Sequence, residues 1–359
     1  MAFELRGTYT ALVTPFKDDS IKSVDWPAFE KLVDAQIAGG VRGLVPCGTT
    51  GESPTLSHDE QREVVSRTVK LAKGRAQVVA GTGTNSTSDT IALSQQAERA
   101  GVDAVMVVVP YYNKPTQEGL YRHFLAVAGA VKCPVVVYNI PGRSVIDLTT
   151  ETLARICADA PNVVGVKEAT GNVLRAQEIV RTLGDRVSVL SGDDALTLPM
   201  IACGAKGVIS VTSNVLPALV SKATELALAG KLDDARKAHL SLMPVHEAMF
   251  IEANPGPAKA ALAMRGAMAR SRGAACPGRI NRQVTVVRPA LSIVIAARVG
   301  CAIAKGNHSQ VSVTSQPAIE TPGRCNATLH PINRRKLPVC STETIDIRFQ
   351  TTLRARSES

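Results

Sequence analysis

A chain of 359 residues, 45% of them hydrophobic, can bury the core of one large domain with additions. Its formal net charge of +10 belongs to one end: residues 1–268 hold 27 Lys+Arg and 27 Asp+Glu, whereas residues 269–359 hold 14 and 4. The body therefore has no net basic field for a nucleic acid, and the longest late apolar run, Leu291–Ala297, falls far short of the ~20 residues that span a bilayer.

At the N-terminus, Met1–Arg6 shows no apolar stretch of the secretory kind. Short apolar runs then alternate with amphipathic stretches at a steady interval. Tyr9–Val13 is followed by a helical pattern over Trp26–Ala38, with Asp25 as N-cap and Pro27 near the first position. Gly43–Pro46 precedes a helix from about Ser57, where Glu60 completes a capping box. Gln77–Ala80 precedes Thr87–Ala100, Ala104–Val109 precedes Glu118–Ala130, and Val135–Tyr138 precedes Thr149–Ala158. Val163–Val166 precedes Val173–Leu183, Val187–Leu190 precedes Ala195–Ile201, and Gly207–Val211 precedes Pro217–Ala229. Eight strand-then-helix units predict an α/β fold, a (β/α)8 barrel over residues 1–228, an architecture that typically takes about 250 residues. A doubly wound open sheet would want a phosphate-binding glycine loop after an early strand. The nearest stretch, Gly81–Ser86, has Ser where the third Gly belongs, and no G-x-x-x-x-G-K-[ST] occurs.

A barrel makes the strand C-termini the functional face. Here they carry Gly48-Thr49-Thr50-Gly51-Glu52, Gly81–Asn85, Pro110-Tyr111-Tyr112-Asn113, Tyr138–Arg143, Lys167 and Ser191-Gly192-Asp193-Asp194. Any one of these is ordinary turn chemistry, and a lone tyrosine there is more often a packing residue. Lys167 falls where the sixth strand should stop. An ammonium at the end of a buried strand is costly unless it is paired or gives up its proton, and a lysine that gives it up is an amine nucleophile for carbonyls. Taken alone, Val166-Lys167-Glu168 reads better as a lysine snorkelling to the surface. Together the strand ends place one Lys, three Tyr, one Arg and several hydroxyls around one mouth, a set suited to imine chemistry. Lys167 would attack a keto acid, Tyr or Thr hydroxyls would relay protons, and Arg143 would hold a carboxylate in its planar fork. No His lies among the strand ends and no carboxylates stand at metal-ligand spacing, so metal-assisted aldol chemistry is the weaker option and no cofactor is expected. Cys47 has no identifiable His or Asn partner and reads as a small buried residue. The eight Cys form no C-x-x-C pair, which fits a reducing cytoplasm without zinc or a disulfide framework in the first half.

From about Gly7 to Met268 the chain resembles the dihydrodipicolinate synthase family, within the pyruvate-dependent class I aldolases that also include N-acetylneuraminate lyase. The resemblance rests on six ordered motifs: GTTGE at 48–52, PYYN at 110–113, YNIPGR at 138–143, GVKEATGN at 165–172, SGDD at 191–194 and GVISVTSN at 207–214. It implies a lyase of lysine and diaminopimelate synthesis that condenses pyruvate with L-aspartate 4-semialdehyde through a Schiff base on Lys167. It implies Tyr138 as the acid/base, Thr49 and Tyr112 as the rest of a proton relay, Thr50 and Ile209 at the pyruvate site, and Gly192 as a further substrate-binding residue. It implies Arg143 as the recruiter of the aldehyde's carboxylate, and Tyr112 as a side chain reaching in from a neighbouring subunit of a homotetramer. Arg143 and the Thr49–Thr50 pair favour the synthase over the lyase of sialic acid. A barrel that binds a keto acid without turnover is the alternative from another class. The family's allosteric lysine pocket corresponds to Ser53, Pro54, His58, Gln61, Asn85, Asp89 and Tyr111, with Gln in place of a second histidine and Asp in place of a glutamate.

Leu232–Phe250 reads as the first long helix of a C-terminal helical region, and Asn254-Pro255-Gly256-Pro257 punctuates before a further helix over Ala258–Ala267. The resemblance stops near Met268. Residues 269–359 show no apolar stripe at helical spacing, four of the eight Cys, and arginines without the aromatics of a single-strand-binding surface. They are expected to be disordered, with a reading-frame change near Met268 as the leading explanation of the break in charge and pattern and a basic nucleic-acid-binding extension as its rival. The nucleotide sequence tests this: a single-base shift near codon 268 that restores no helical ending sinks the idea.

Overall fold

A computed structural model describes residues 3–19 and 22–269, so the expectations for the tail fall outside the described residues. Eight strands, β1 (Gly7–Ala11), β2 (Gly43–Val45), β3 (Gln77–Gly81), β4 (Ala104–Val108), β5 (Val135–Asn139), β6 (Val163–Glu168), β7 (Ser188–Ser191) and β8 (Gly207–Ser210), close in sequence order into a parallel barrel. β1 pairs with β8 to complete the ring. The helices around and after it are α1 (Trp26–Ala38), α2 (His58–Ala72), α3 (Thr87–Ala100), α4 (Gln117–Ala130), α5 (Pro141–Ser144) and α6 (Thr150–Asp159). They continue with α7 (Val173–Leu183), α8 (Thr197–Ala202), α9 (Pro217–Leu228), α10 (Leu232–Ala248) and α11 (Gly256–Met264). This is the (β/α)8 barrel that the spacing predicts. No helix among the described residues is long and apolar enough to cross a membrane.

The strands read as near-continuous Val, Ile and Ala runs because both of their faces are buried. Outward residues such as Val105, Val107, Val135 and Val137 pack under the helices. Inward residues, including Tyr9, Val45, Met106, Val136, Tyr138, Leu190 and Ile209, fill the barrel interior. Two glycines make room for that filling. A side chain at Gly43 would stand 2.4 Å from the Tyr9 ring, and one at Gly165 would stand 2.3 Å from Leu5 Cδ2.

Local chemistry sets the helix starts. Asp25 accepts from the Ala28 N–H, and Ser57 with Glu60 forms a reciprocal capping box at α2. Ser86, Thr149 and Asn172 cap α3, α6 and α7 in the same way. Several boundaries differ from the sequence expectation, among them α11, which runs over Gly256–Met264 in place of Ala258–Ala267, and three differences bear on the site. β6 runs on through Lys167 and Glu168, since the ladder is made by backbone groups and both residues pair with β5 and β7 whatever their charge. The Pro141–Ser144 stretch, expected as a plain loop, forms the single-turn α5 with Pro at its first turn. The helix expected from Ala195 begins as a 3-10 turn over Asp194–Leu196, capped by the Asp193 carboxylate.

Candidate active site

Lys167 and Tyr138 sit opposite each other in the β5–β6 register, near the C-terminal ends of their strands. A register shift between Val135 and Val136 decides this. Val135 pairs with Val163 but Val136 pairs with Gly165, so β6 carries one extra residue and its alternation is reset. Without that bulge Tyr138 would face Val166. With it, the Lys167 ammonium group lies 4.1 Å from the centroid of the Tyr138 ring, and both residues are 4% exposed.

The next residue, Glu168, is buried on the other side of the strand. Its carboxylate accepts from the Thr170 N–H at 2.7 Å and from Asn139 Nδ2 at 3.3 Å. Burial pushes its carboxyl above the usual carboxylate range, against the pull of those hydrogen bonds. Its backbone carbonyl accepts from the Gly192 N–H at 2.7 Å, and a side chain at Gly192 would stand 2.6 Å from the Ala169 Cβ. The β7 end is thereby drawn tight against the β6 end.

A cavity of about 190 Å³ opens at this face, lined in part by Thr49, Tyr111, Tyr138, Ile140 and Arg143. Its Thr49 comes from the loop after β2, a tight turn in which Gly51 N–H and Ser53 N–H both donate to the Gly48 carbonyl. That turn holds Cys47 at φ 55° and Glu52 at φ 58°, left-handed backbone at non-glycine residues. Cys47 is buried and its thiol is pushed up to about 12 by burial, so it is a packing thiol and not a thiolate. Thr50 is buried behind Thr49, and Ile209 is buried in the barrel interior beside Tyr138. Thr49, Tyr138 and Arg143 thus line the cavity, and Lys167 lies against the Tyr138 ring; Thr50 and Gly192 sit in the loops after β2 and β7, and Ile209 in β8. Tyr112 stands apart: it is 87% exposed, at φ 70°, on the rim after β4.

Of the residues expected at a lysine pocket, Ser53, Pro54 and Tyr111 line the same cavity. Burial raises the Tyr111 phenol. Gln61 donates to the Ser53 carbonyl at 2.9 Å, Asn85 Nδ2 donates to Asn113 Oδ1 at 3.3 Å, and Asn113 Nδ2 donates to the Asn85 backbone carbonyl at 2.7 Å. His58 and Asp89 lie exposed in the first turns of α2 and α3.

Sequence reading passed over the residues that tie this loop to the C-terminal region. Asn254 Nδ2 donates to Thr50 Oγ1 at 2.9 Å, and Arg143 Nη2 donates to the Asn254 carbonyl at 3.2 Å. Lys259 of α11 donates to the Glu52 carboxylate in a buried ion pair and lies 4.1 Å over the Phe16 ring. Thr50 and Asn254 are 204 residues apart, Glu52 and Lys259 207, and Arg143 and Asn254 111, and no local pattern announces them. Among the described residues no group of three or more His, Cys, Asp or Glu is arranged to hold a metal ion. A phenol, a hydroxyl and a guanidinium around one cavity, with a buried amine against the phenol ring, make a site for carbonyl chemistry on an anionic substrate.

Comparison with known proteins meets this geometry. The model of the Dihydrodipicolinate synthetase family matches residues 4–277. A 4-hydroxy-tetrahydrodipicolinate synthase from Sorangium cellulosum is 61% identical over 264 residues, which is 74% of this chain and 87% of that protein. Among solved structures, the dihydrodipicolinate synthase from Aquifex aeolicus superposes with a TM-score of 0.77 at 41% identity, covering 82% of this chain and 97% of that one. The 4-hydroxy-tetrahydrodipicolinate synthase from Methylacidiphilum fumariolicum SolV gives 0.78 at 42% identity, covering 84% and 97%. With a buried lysine at the mouth of a closed eight-stranded barrel and a family match over most of its length, this chain belongs to the dihydrodipicolinate synthetase family.

Proposed function

We propose that the chain is a lyase that condenses pyruvate with L-aspartate 4-semialdehyde to 4-hydroxy-tetrahydrodipicolinate, through an imine on Lys167. The observation that carries the reading is the buried Lys167 amine lying against the Tyr138 ring at the cavity. The neutral amine attacks the keto carbon, and the carbonyl oxygen leaves as water once it has been protonated. Loss of a methyl proton from the imine gives an enamine, whose carbon attacks the aldehyde while the aldehyde oxygen takes a proton. The amino group carried by the aldehyde substrate then attacks the imine carbon, so that its new C–N bond closes the six-membered ring, the bond to Lys167 breaks, and the lysine leaves as the free amine. In this reading Tyr138 hands protons in and out, Thr49 and Tyr112 extend the relay, and Thr50, Ile209 and Gly192 shape the pyruvate end. Arg143 offers the aldehyde's carboxylate a paired donor.

Borohydride reduction with pyruvate, followed by mass analysis, tests the imine. A pyruvyl adduct is expected on Lys167 and absent in Lys167→Arg, because a guanidinium does not deprotonate near neutral pH. Condensation is then measured with L-aspartate 4-semialdehyde. An adduct without condensation would leave a lyase of another substrate or a keto-acid-binding barrel in its place.

The exposed Tyr112 supports assembly as part of the site, in a tetramer in which the phenol enters a neighbour's cavity. Two inactive variants, Tyr112→Phe and Lys167→Ala, are then expected to recover part of the activity when mixed and reassembled. No recovery after verified subunit exchange would overturn the shared site.

A further inference from the structure

We propose that Asn254 is a positioning residue for the pyruvate carboxylate, acting through the Thr50 hydroxyl. This rests on the imine reading above, which puts Thr50 at the pyruvate end of the site. Asn254 lies in the segment between α10 and α11 and is itself buried. Its side-chain Nδ2 donates to Thr50 Oγ1 at 2.9 Å. A threonine hydroxyl has one proton and two lone pairs. An amide N–H directed at one lone pair leaves the hydroxyl's own proton for another acceptor, and among the described residues none takes it. The hydroxyl thus keeps a free donor one residue from Thr49, which lines the cavity. A carboxylate at position 254 would do the reverse and draw that proton away from the cavity.

Two further observations agree. Asn254 Oδ1 is buried and has no hydrogen-bond partner among the described residues. A buried acceptor left unpaired is a cost to folding, so this side chain is poorly explained by packing and well explained by its donor end. The segment is also held in place at both ends of the contact. The Asn254 carbonyl accepts from Arg143 Nη2 at 3.2 Å, and five residues on, Lys259 pairs with Glu52 of the same loop that carries Thr50. Arg143 is bound by the backbone of residue 254, so changing the side chain leaves that contact in place. The two substrate carboxylates can therefore be separated by experiment.

The test uses the full chain with Asn254→Ala and Asn254→Asp. Both variants are expected to raise KM for pyruvate by about tenfold or more, equivalent to ~1.4 kcal/mol of binding, with kcat within about threefold. Asp is expected to exceed Ala, since water can take the amide's place in the Ala variant. The borohydride trapping rate at low pyruvate falls in parallel, while KM for the aldehyde stays near the wild-type value. In a Thr50→Val background the Asn254→Ala effect on pyruvate KM is expected to vanish, because the two act as a unit. Unchanged pyruvate KM and trapping in folded variants would overturn the proposal. So would an equal rise in both substrates' KM, or failure of both variants to fold, which would make Asn254 a structural residue only. A wild-type chain that traps no pyruvate overturns the imine reading and this proposal together. A wild type that traps, beside variants that trap as fast, overturns this proposal alone.

Discussion

Tyr138 and Lys167 are neighbours because a parallel ladder points paired residues the same way, and the bulge in β6 makes them a pair. Tyr138 is buried in the barrel interior, with its ring against the Lys167 amine and its edge on the cavity. If the phenol moves protons for the imine, Tyr138→Phe keeps the ring and the packing and removes only the hydroxyl. Turnover is then expected to fall by roughly 10²–10³-fold, the range of a lost general acid–base group, with thermal stability unchanged. Steady-state kinetics on the purified variant checks this, and a loss below about threefold would remove Tyr138 from the proton path. That a tyrosine and a lysine end adjacent strands was legible in the sequence. Their pairing was not, because the register depends on one inserted residue that no periodicity marks.

At the scale of elements, the loop after β2 and helix α11 are joined by the Glu52–Lys259 pair, in which both side chains are buried. A buried ion pair is weak evidence of net stabilisation, since desolvating two charges offsets most of their attraction. Removing one partner is different, because it strands the other charge away from water. Lys259→Met is therefore expected to destabilise the fold by about 3–5 kcal/mol in chemical denaturation, and the double variant Glu52→Gln/Lys259→Met by less than either single change. A single variant within about 1 kcal/mol of the wild type would show that the pair is not desolvated as the structure has it. The helix caps were readable at this scale: Asp25 and the Ser57/Glu60 box stand where the sequence places them, since a cap is made within a few residues. The single turn of α5 was not, because four residues are too few for periodicity to declare a helix.

Across the whole molecule, buried histidines bias stability against acid. His123 of α4 is held against the Phe124 ring edge, its Nδ1 bonded to Thr87 Oγ1 at 2.9 Å and its Nε2 buried without a partner. Burial lowers its pKa to about 4, and burial also lowers those of His239 and His246, beside Asp194. A folded-state pKa below the unfolded value means that the unfolded chain binds protons first. Stability is therefore expected to be full above about pH 6.5 and to fall as pH drops toward 4, with roughly 3 kcal/mol from His123 alone. Urea midpoints at pH 7, 5.5 and 4.5 check this, and His123→Leu is expected to flatten the slope. A midpoint that is level or rises on acidification would contradict it. By itself, the sequence determined the eight alternating units, the helix caps and the lysine at a strand end, because each is encoded in residues a few positions apart. Only the tertiary structure decided that Lys167 faces Tyr138, that Asn254 reaches Thr50 and that Lys259 reaches Glu52, because closing the barrel brings together partners whose spacing along the chain carries no signal.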